Sequence, residues 1–98
     1  MPKLLYSRKS RRDLAKIWRW IAKTSGKARA DEVTERLTKR IAVLESHALI
    51  GPVRPDIGEG ARLLVQERWV ILYSASVDQV RIERILDGAR DIKSDALD

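Results

Sequence analysis

Cysteine is absent from this 98-residue chain, which removes disulfides, thiolate catalysis and cysteine-based zinc sites at once. There is a single histidine, His47. It falls near the expected end of a helix, where a cation suits the negative end of the dipole better than it suits general-base work. No Ser/His/Asp set can be assembled around it. The acidic residues are scattered, without E-x-x-H, H-E-x-x-H or D-x-D-x-D-G spacing, and no G-x-x-x-x-G-K-[ST] loop occurs. Gly58-Glu59-Gly60 falls short of a phosphate fingerprint. No metal and no nucleotide or other cofactor is therefore expected. Long apolar runs are missing too, so neither a signal peptide nor a membrane span is expected, and the cytoplasm is the default location.

Negative charge is scarce at the start. Before residue 30 there are 10 Lys/Arg and one acid, Asp13. Residues 1–50 hold 13 Lys/Arg and 5 Asp/Glu, a balance of +8, and residues 51–98 hold 7 and 9, a balance of −2, which together make the net +6. Such a field attracts polyanions or an acidic protein, or simply keeps a helix solvated. The length fits one domain spanning 1–98, which buries roughly 60–70% of its unfolded surface and needs no staple.

Two amphipathic helices are legible. Ser10-Arg-Arg-Asp13 has the spacing of a helix start, with Ser10 as cap and Asp13 at the positive end of the dipole. Leu14, Ile17, Trp18 and Ile21 follow at i, i+3, i+4, i+7, one apolar stripe. Ser25-Gly26 ends the helix. A second helix is expected from about Lys27 to about His47, where Ala30, Val33, Leu37, Ile41 and Leu44 share a face. The short link makes an antiparallel hairpin. Trp20 lies beside the first stripe, either covering the core margin or anchoring a partner.

The rest reads as sheet. Lys3–Ser7 is a short strand at an edge or against a later strand. Ile50–Gly60, with two prolines and three glycines, excludes regular structure. Within Ala61–Asp91, ARLLVQ, WVILYS and QVRIERIL are three strands, with turns at Glu67-Arg68 and Ser76–Asp78. The helices must cover this sheet. In the last strand Arg84 interrupts the row of Val80, Ile82 and Leu86. Either a β-bulge there returns Ile85 and Leu86 to apolar surroundings, or Arg84 simply pairs with a carboxylate. Arg62, Arg68, Arg81, Arg84 and Arg90, with Tyr73 among them, would form a cationic patch opposite the helices if their strand faces coincide. Arginine forks there could bind phosphate or carboxylate.

The ordered set of pieces resembles the RelE/ParE superfamily of type II toxin–antitoxin toxins. The matching residues are Asp13–Ile17 with Trp20–Ala22, Leu44, Arg54-Pro-Asp-Ile-Gly58 with Gly60-Ala-Arg62, Val70–Tyr73, Val80–Leu86 and Gly88-Ala-Arg-Asp-Ile92. The resemblance implies an α+β fold, β-α-α-β-β-β, with a two-helix hairpin on a small antiparallel sheet. The ParE branch is the more similar, although Asp87 stands where its members commonly carry His. That branch implies inhibition of DNA gyrase by binding, without intrinsic catalysis, and neutralisation by a ParD-like antitoxin. On this reading Arg62, Arg81, Arg84 and Arg90 are the expected target-binding groups. Arg12, Lys16, Arg19 and Trp20 would receive an acidic amphipathic segment of the antitoxin. The alternative is a RelE-like, ribosome-dependent mRNA endoribonuclease using Arg62, Tyr73, Arg81 and Arg84. The tail after Arg90, DIKSDALD, lacks the Tyr or His that such enzymes use. A third alternative is a degenerate, non-toxic binding module.

Overall fold

The computed structural model of the chain describes residues 2–89 and Ile92. In chain order it has β1 (Lys3–Tyr6), α1 (Arg8–Ser25), α2 (Lys27–Ala42), one 3-10 turn (Val43–Glu45), β2 (Arg62–Gln66), β3 (Trp69–Ala75) and β4 (Gln79–Asp87). The architecture is α+β, as expected from the alternation of stripes and strands. The four strands lie in the order β1-β4-β3-β2. The three later strands are antiparallel, but β1 runs parallel to β4, Leu4 opposite Val80. The sheet is therefore mixed, and its first strand pairs with its last.

The start of α1 differs from the expected one. Ser7, not Ser10, is the N-cap: its extended backbone follows directly from β1, and its Oγ accepts from the Ser10 N–H at 3.0 Å. The same Oγ donates to the Glu83 carbonyl at 2.7 Å, so the cap also fastens the helix to β4. This earlier start moves Asp13 out of the first turn and turns it inward. At the other end Gly26 has φ +93°, and its N–H closes on the Ala22 carbonyl at 3.1 Å. An L side chain there would be strained, which is why the helix stops at Ser25.

Ile17 and Ile21 of α1 and Ala30, Val33, Leu37 and Ile41 of α2 are buried, together with Leu44, against one face of the sheet. That face supplies Leu64, Trp69, Ile71, Tyr73, Val80, Ile82 and Ile85. Full burial of a leucine such as Leu37 contributes on the order of 1.5–3 kcal/mol. Leu14 and Trp18, expected on the same stripe, are half-buried toward α2, and the Trp18 indole N–H donates to Asp31 at 2.8 Å.

The hairpin turns sit where the sequence places them. Glu67 adopts φ +57°, a left-handed conformation that costs a non-glycine residue about 1 kcal/mol or more. Its carboxylate accepts from Arg36 of α2 at 2.7 Å, so the β2–β3 turn is tied to the helix layer. In β4 the register jumps: Leu72 faces Arg84 while Tyr73 faces Ile82, leaving Glu83 over. This bulge restores Ile85 to the core face beside Val80 and Ile82, while Leu86 is buried opposite Val70. Both alternatives for Arg84 hold together, since it also pairs with a carboxylate.

Candidate functional site

Between α1 and the turn end of β3 and β4 lies a cleft of about 550 Å³. Asp13, Lys16 and Trp20 line it from the helix, and Arg68, Arg84 and Asp87 from the sheet. Its floor is an ion pair. Asp13 is buried, and its Oδ2 accepts from Arg84 Nε at 2.8 Å and from the Ile85 N–H at 2.9 Å, while Oδ1 accepts from Arg84 Nη2 at 3.1 Å. The bulge makes this possible by turning one β4 amide toward the helix. A carboxylate carrying three donors is well compensated for its burial.

The outer wall is aromatic. Arg68, second residue of the β2–β3 turn, holds its guanidinium 5.2 Å from the Trp20 ring and 5.0 Å from the Trp69 ring. It also pairs with Asp87 at the end of β4. Trp69 is buried, whereas Trp20 is 50% exposed. Exposed apolar area beside cations is the composition of a partner-binding surface. Of the four residues expected to meet an antitoxin, Lys16 and Trp20 line the cleft, and Arg12 and Arg19 are exposed on the same helix outside its lining.

The sheet arginines do not form one patch. Arg62 faces Tyr73, which faces Ile82, so Arg62 belongs to the helix side. Its Nη1 donates to the carbonyls of Gly51 at 2.7 Å and Leu49 at 3.3 Å. Arg81 faces Ser74 and belongs to the other side, where it pairs with Glu83 at 2.9 Å. Arg84 is held by Asp13. Arg90, with the rest of the expected Gly-Ala-Arg-Asp tail beyond Ala89, lies outside the described residues apart from Ile92. Tyr73 is fully buried: its hydroxyl accepts from the Gly51 N–H at 2.9 Å and donates to the Ala48 carbonyl at 2.8 Å. A Cβ on residue 51 would stand 2.4 Å from the Leu63 carbonyl oxygen and 2.8 Å from the Tyr73 hydroxyl. Only glycine fits. Arg62, Tyr73 and Gly51 together pin the long loop to the sheet; of the expected nuclease groups, Arg62 and Tyr73 are thus engaged in structural hydrogen bonds.

Residues 4–92 match the family model for the ParE toxin of type II toxin–antitoxin systems, parDE. The chain belongs to the ParE toxin family. Among solved structures it is similar to a chain of the chromosomal ParDE TA system from P. aeruginosa, with a TM-score of 0.79 and 24% identity, over 89% of this chain and 96% of that one. No curated protein gives a significant match.

In this ParE-family chain two cleft residues had no advance signal in the sequence as a pair. Arg68 and Trp20 stand 48 positions apart, and only the packing of α1 on the β2–β3 turn joins them. The nearest local signal was the Arg68-Trp69 dipeptide at a hairpin. Among the described residues no group of three or more His, Asp or Glu side chains converges as a metal site would require, and no helix is long and apolar enough to cross a membrane.

Proposed function

We propose that this toxin acts by binding DNA gyrase and trapping its DNA-bound state, and that a ParD-like antitoxin neutralises it in the cytoplasm. The observation that carries the reading is the match to the ParE family over residues 4–92. What favours binding over RNA cleavage is the fate of the groups a nuclease would use. The Tyr73 hydroxyl is buried and bonded on both sides, Arg62 holds loop carbonyls and Arg84 holds Asp13. A proton-transfer group must reach its substrate. Tyr73 would have to break the loop anchor first.

The antitoxin is proposed to lay an acidic amphipathic segment over Trp20 and the cleft, with its carboxylates toward Arg12, Lys16 and Arg19. An apolar anchor in a half-open aromatic wall flanked by cations fits such a segment.

The deciding experiment is a gyrase supercoiling assay with purified, antitoxin-free protein, scoring lost supercoiling and accumulated cleaved DNA. Gyrase-dependent cleaved DNA that disappears on adding antitoxin is the expected result. Folded, growth-inhibitory protein that leaves gyrase untouched overturns it, and ribosome-dependent mRNA cleavage then becomes the leading activity. Folded protein without any growth inhibition would instead mark a degenerate binding module.

A further inference from the structure

The crest of α1 carries a row of cations that the fold does not use, of which only Lys16 also lines the cleft. Arg8, Arg12, Lys16, Arg19 and Lys23 step by 4, 4, 3 and 4 residues and are all exposed. On a helix this spacing keeps them within one stripe, about 22 Å long at the usual rise. None of the five forms an ion pair with an acid among the described residues. The one acid of α1, Asp13, is turned inward against Arg84. The stripe lies roughly opposite Ile17 and Ile21, which are buried on the sheet, so it is the part of the helix farthest from the core.

We propose that this crest binds the phosphate backbone of duplex DNA, giving the toxin a sequence-independent DNA contact of its own, separate from its protein target. Charge and shape both favour this occupant. The crest is convex and has no apolar side chain larger than Ala15 between its cations. The antitoxin segment proposed above is anchored to the side, at Trp20 and the cleft, because a peptide that folds on binding needs apolar anchors in a groove. It reaches these cations only from there, and it and DNA would compete for Arg12, Lys16 and Arg19. A phosphate backbone needs no such anchor, only spaced Lys and Arg. The row is as long as about six base pairs of duplex, at about 3.4 Å per step. The groove of B-DNA admits a helix ridge, whereas that of A-form RNA is too narrow. No Asn or Gln occurs in α1 to read adenine, and the contact proposed for its Arg and Lys is to phosphate oxygens.

The test is fluorescence anisotropy of a labelled mixed-sequence DNA duplex titrated with the toxin alone, at several NaCl concentrations. Five neutralised phosphates give a slope of log K against log [salt] of about −4.5, and Arg12→Ala or Arg19→Ala each lessens it by about 0.9. The triple variant Arg12→Glu, Arg19→Glu, Lys23→Glu, with its circular dichroism unchanged, is expected to bind at least tenfold more weakly. Of two single variants that change the net charge equally, Arg19→Glu on the crest should weaken binding more than threefold and Lys39→Glu on α2 less than threefold. Equal losses for the crest and α2 variants would reduce the effect to net charge and overturn the proposal. Absence of binding at 50 mM NaCl would do the same. Tighter binding to duplex RNA, or equally tight binding to poly-glutamate, would overturn it in favour of those partners. Because gyrase is absent from this assay, its outcome is independent of the supercoiling result.

Discussion

Asp13 and Arg84, 71 residues apart in the chain, form a two-pronged ion pair whose shorter arm is 2.8 Å, and the same carboxylate accepts the Ile85 amide across the bulge. Side-chain exposure is 9% for Asp13 and 15% for Arg84. Removing Asp13 takes two hydrogen bonds from the buried Arg84 guanidinium and one from the Ile85 amide, which costs about 3–5 kcal/mol. Asp13→Ala is therefore expected to lower unfolding stability by that order in urea denaturation. A change below about 1 kcal/mol would show that the pair is open to water.

Tyr73 anchors the long loop. Tyr73→Phe leaves the Gly51 N–H and the Ala48 carbonyl without their partner, at about 1–3 kcal/mol. The variant should melt earlier and exchange the Gly51 amide faster, yet keep its growth inhibition once expressed folded. Loss of inhibition from a stable Tyr73→Phe protein would instead place the hydroxyl in the activity.

Trp20 presents half its surface beside the cleft. Trp20→Ala is expected to weaken antitoxin binding by more than about 1 kcal/mol, roughly fivefold or more, if the indole is an interface anchor. Isothermal titration with the cognate antitoxin measures this directly. An unchanged Kd with intact fold would leave Trp20 as no more than a cover for Arg68.

Burial, and second the nearby Glu45 carboxylate, raise the Tyr6 phenol above its ordinary value of about 10. The phenol is thus held neutral more firmly in the folded chain than in the unfolded one. Its contribution is fully present below pH of about 10 and is lost as pH rises through the raised folded value. Thermal stability should fall above that pH, and Tyr6→Phe should fall less steeply over the same range. Parallel curves for the two proteins would assign the alkaline loss to other groups.

The local features were legible because they are local. The stripes at Ile17/Ile21 and Val33/Leu37/Ile41, the glycine stop at Gly26 and both hairpin turns follow from spacing that acts within a few residues. What could not be read depends on parity and on distance. One extra residue at Glu83 reverses which side every later β4 residue faces, so Ile85 joins the core. Across the sheet, registry alone puts Arg62 and Arg81 on opposite sides, and the imagined cationic patch fails for that reason. Ser7 and Ser10 are equally good caps by composition. Ser7 prevails because β1 already holds its backbone extended against β4. The cleft shows the same limit. Its α1 half was visible as a basic helix with an off-stripe tryptophan, but nothing near Trp20 in the chain announces Arg68 or Asp87.

The parallel pairing of β1 with β4 has a consequence for synthesis. The first strand and the start of the first helix are made more than 70 residues before their partners, the Ile82 and Glu83 carbonyls and Arg84. Closing contacts of such wide separation is slow and comes late. The growing chain can form its helical hairpin, but the layer that the hairpin covers is completed only after β4 has been made. A truncation before Gln79 therefore removes β4 and, in the same step, takes from β1 the strand it pairs with.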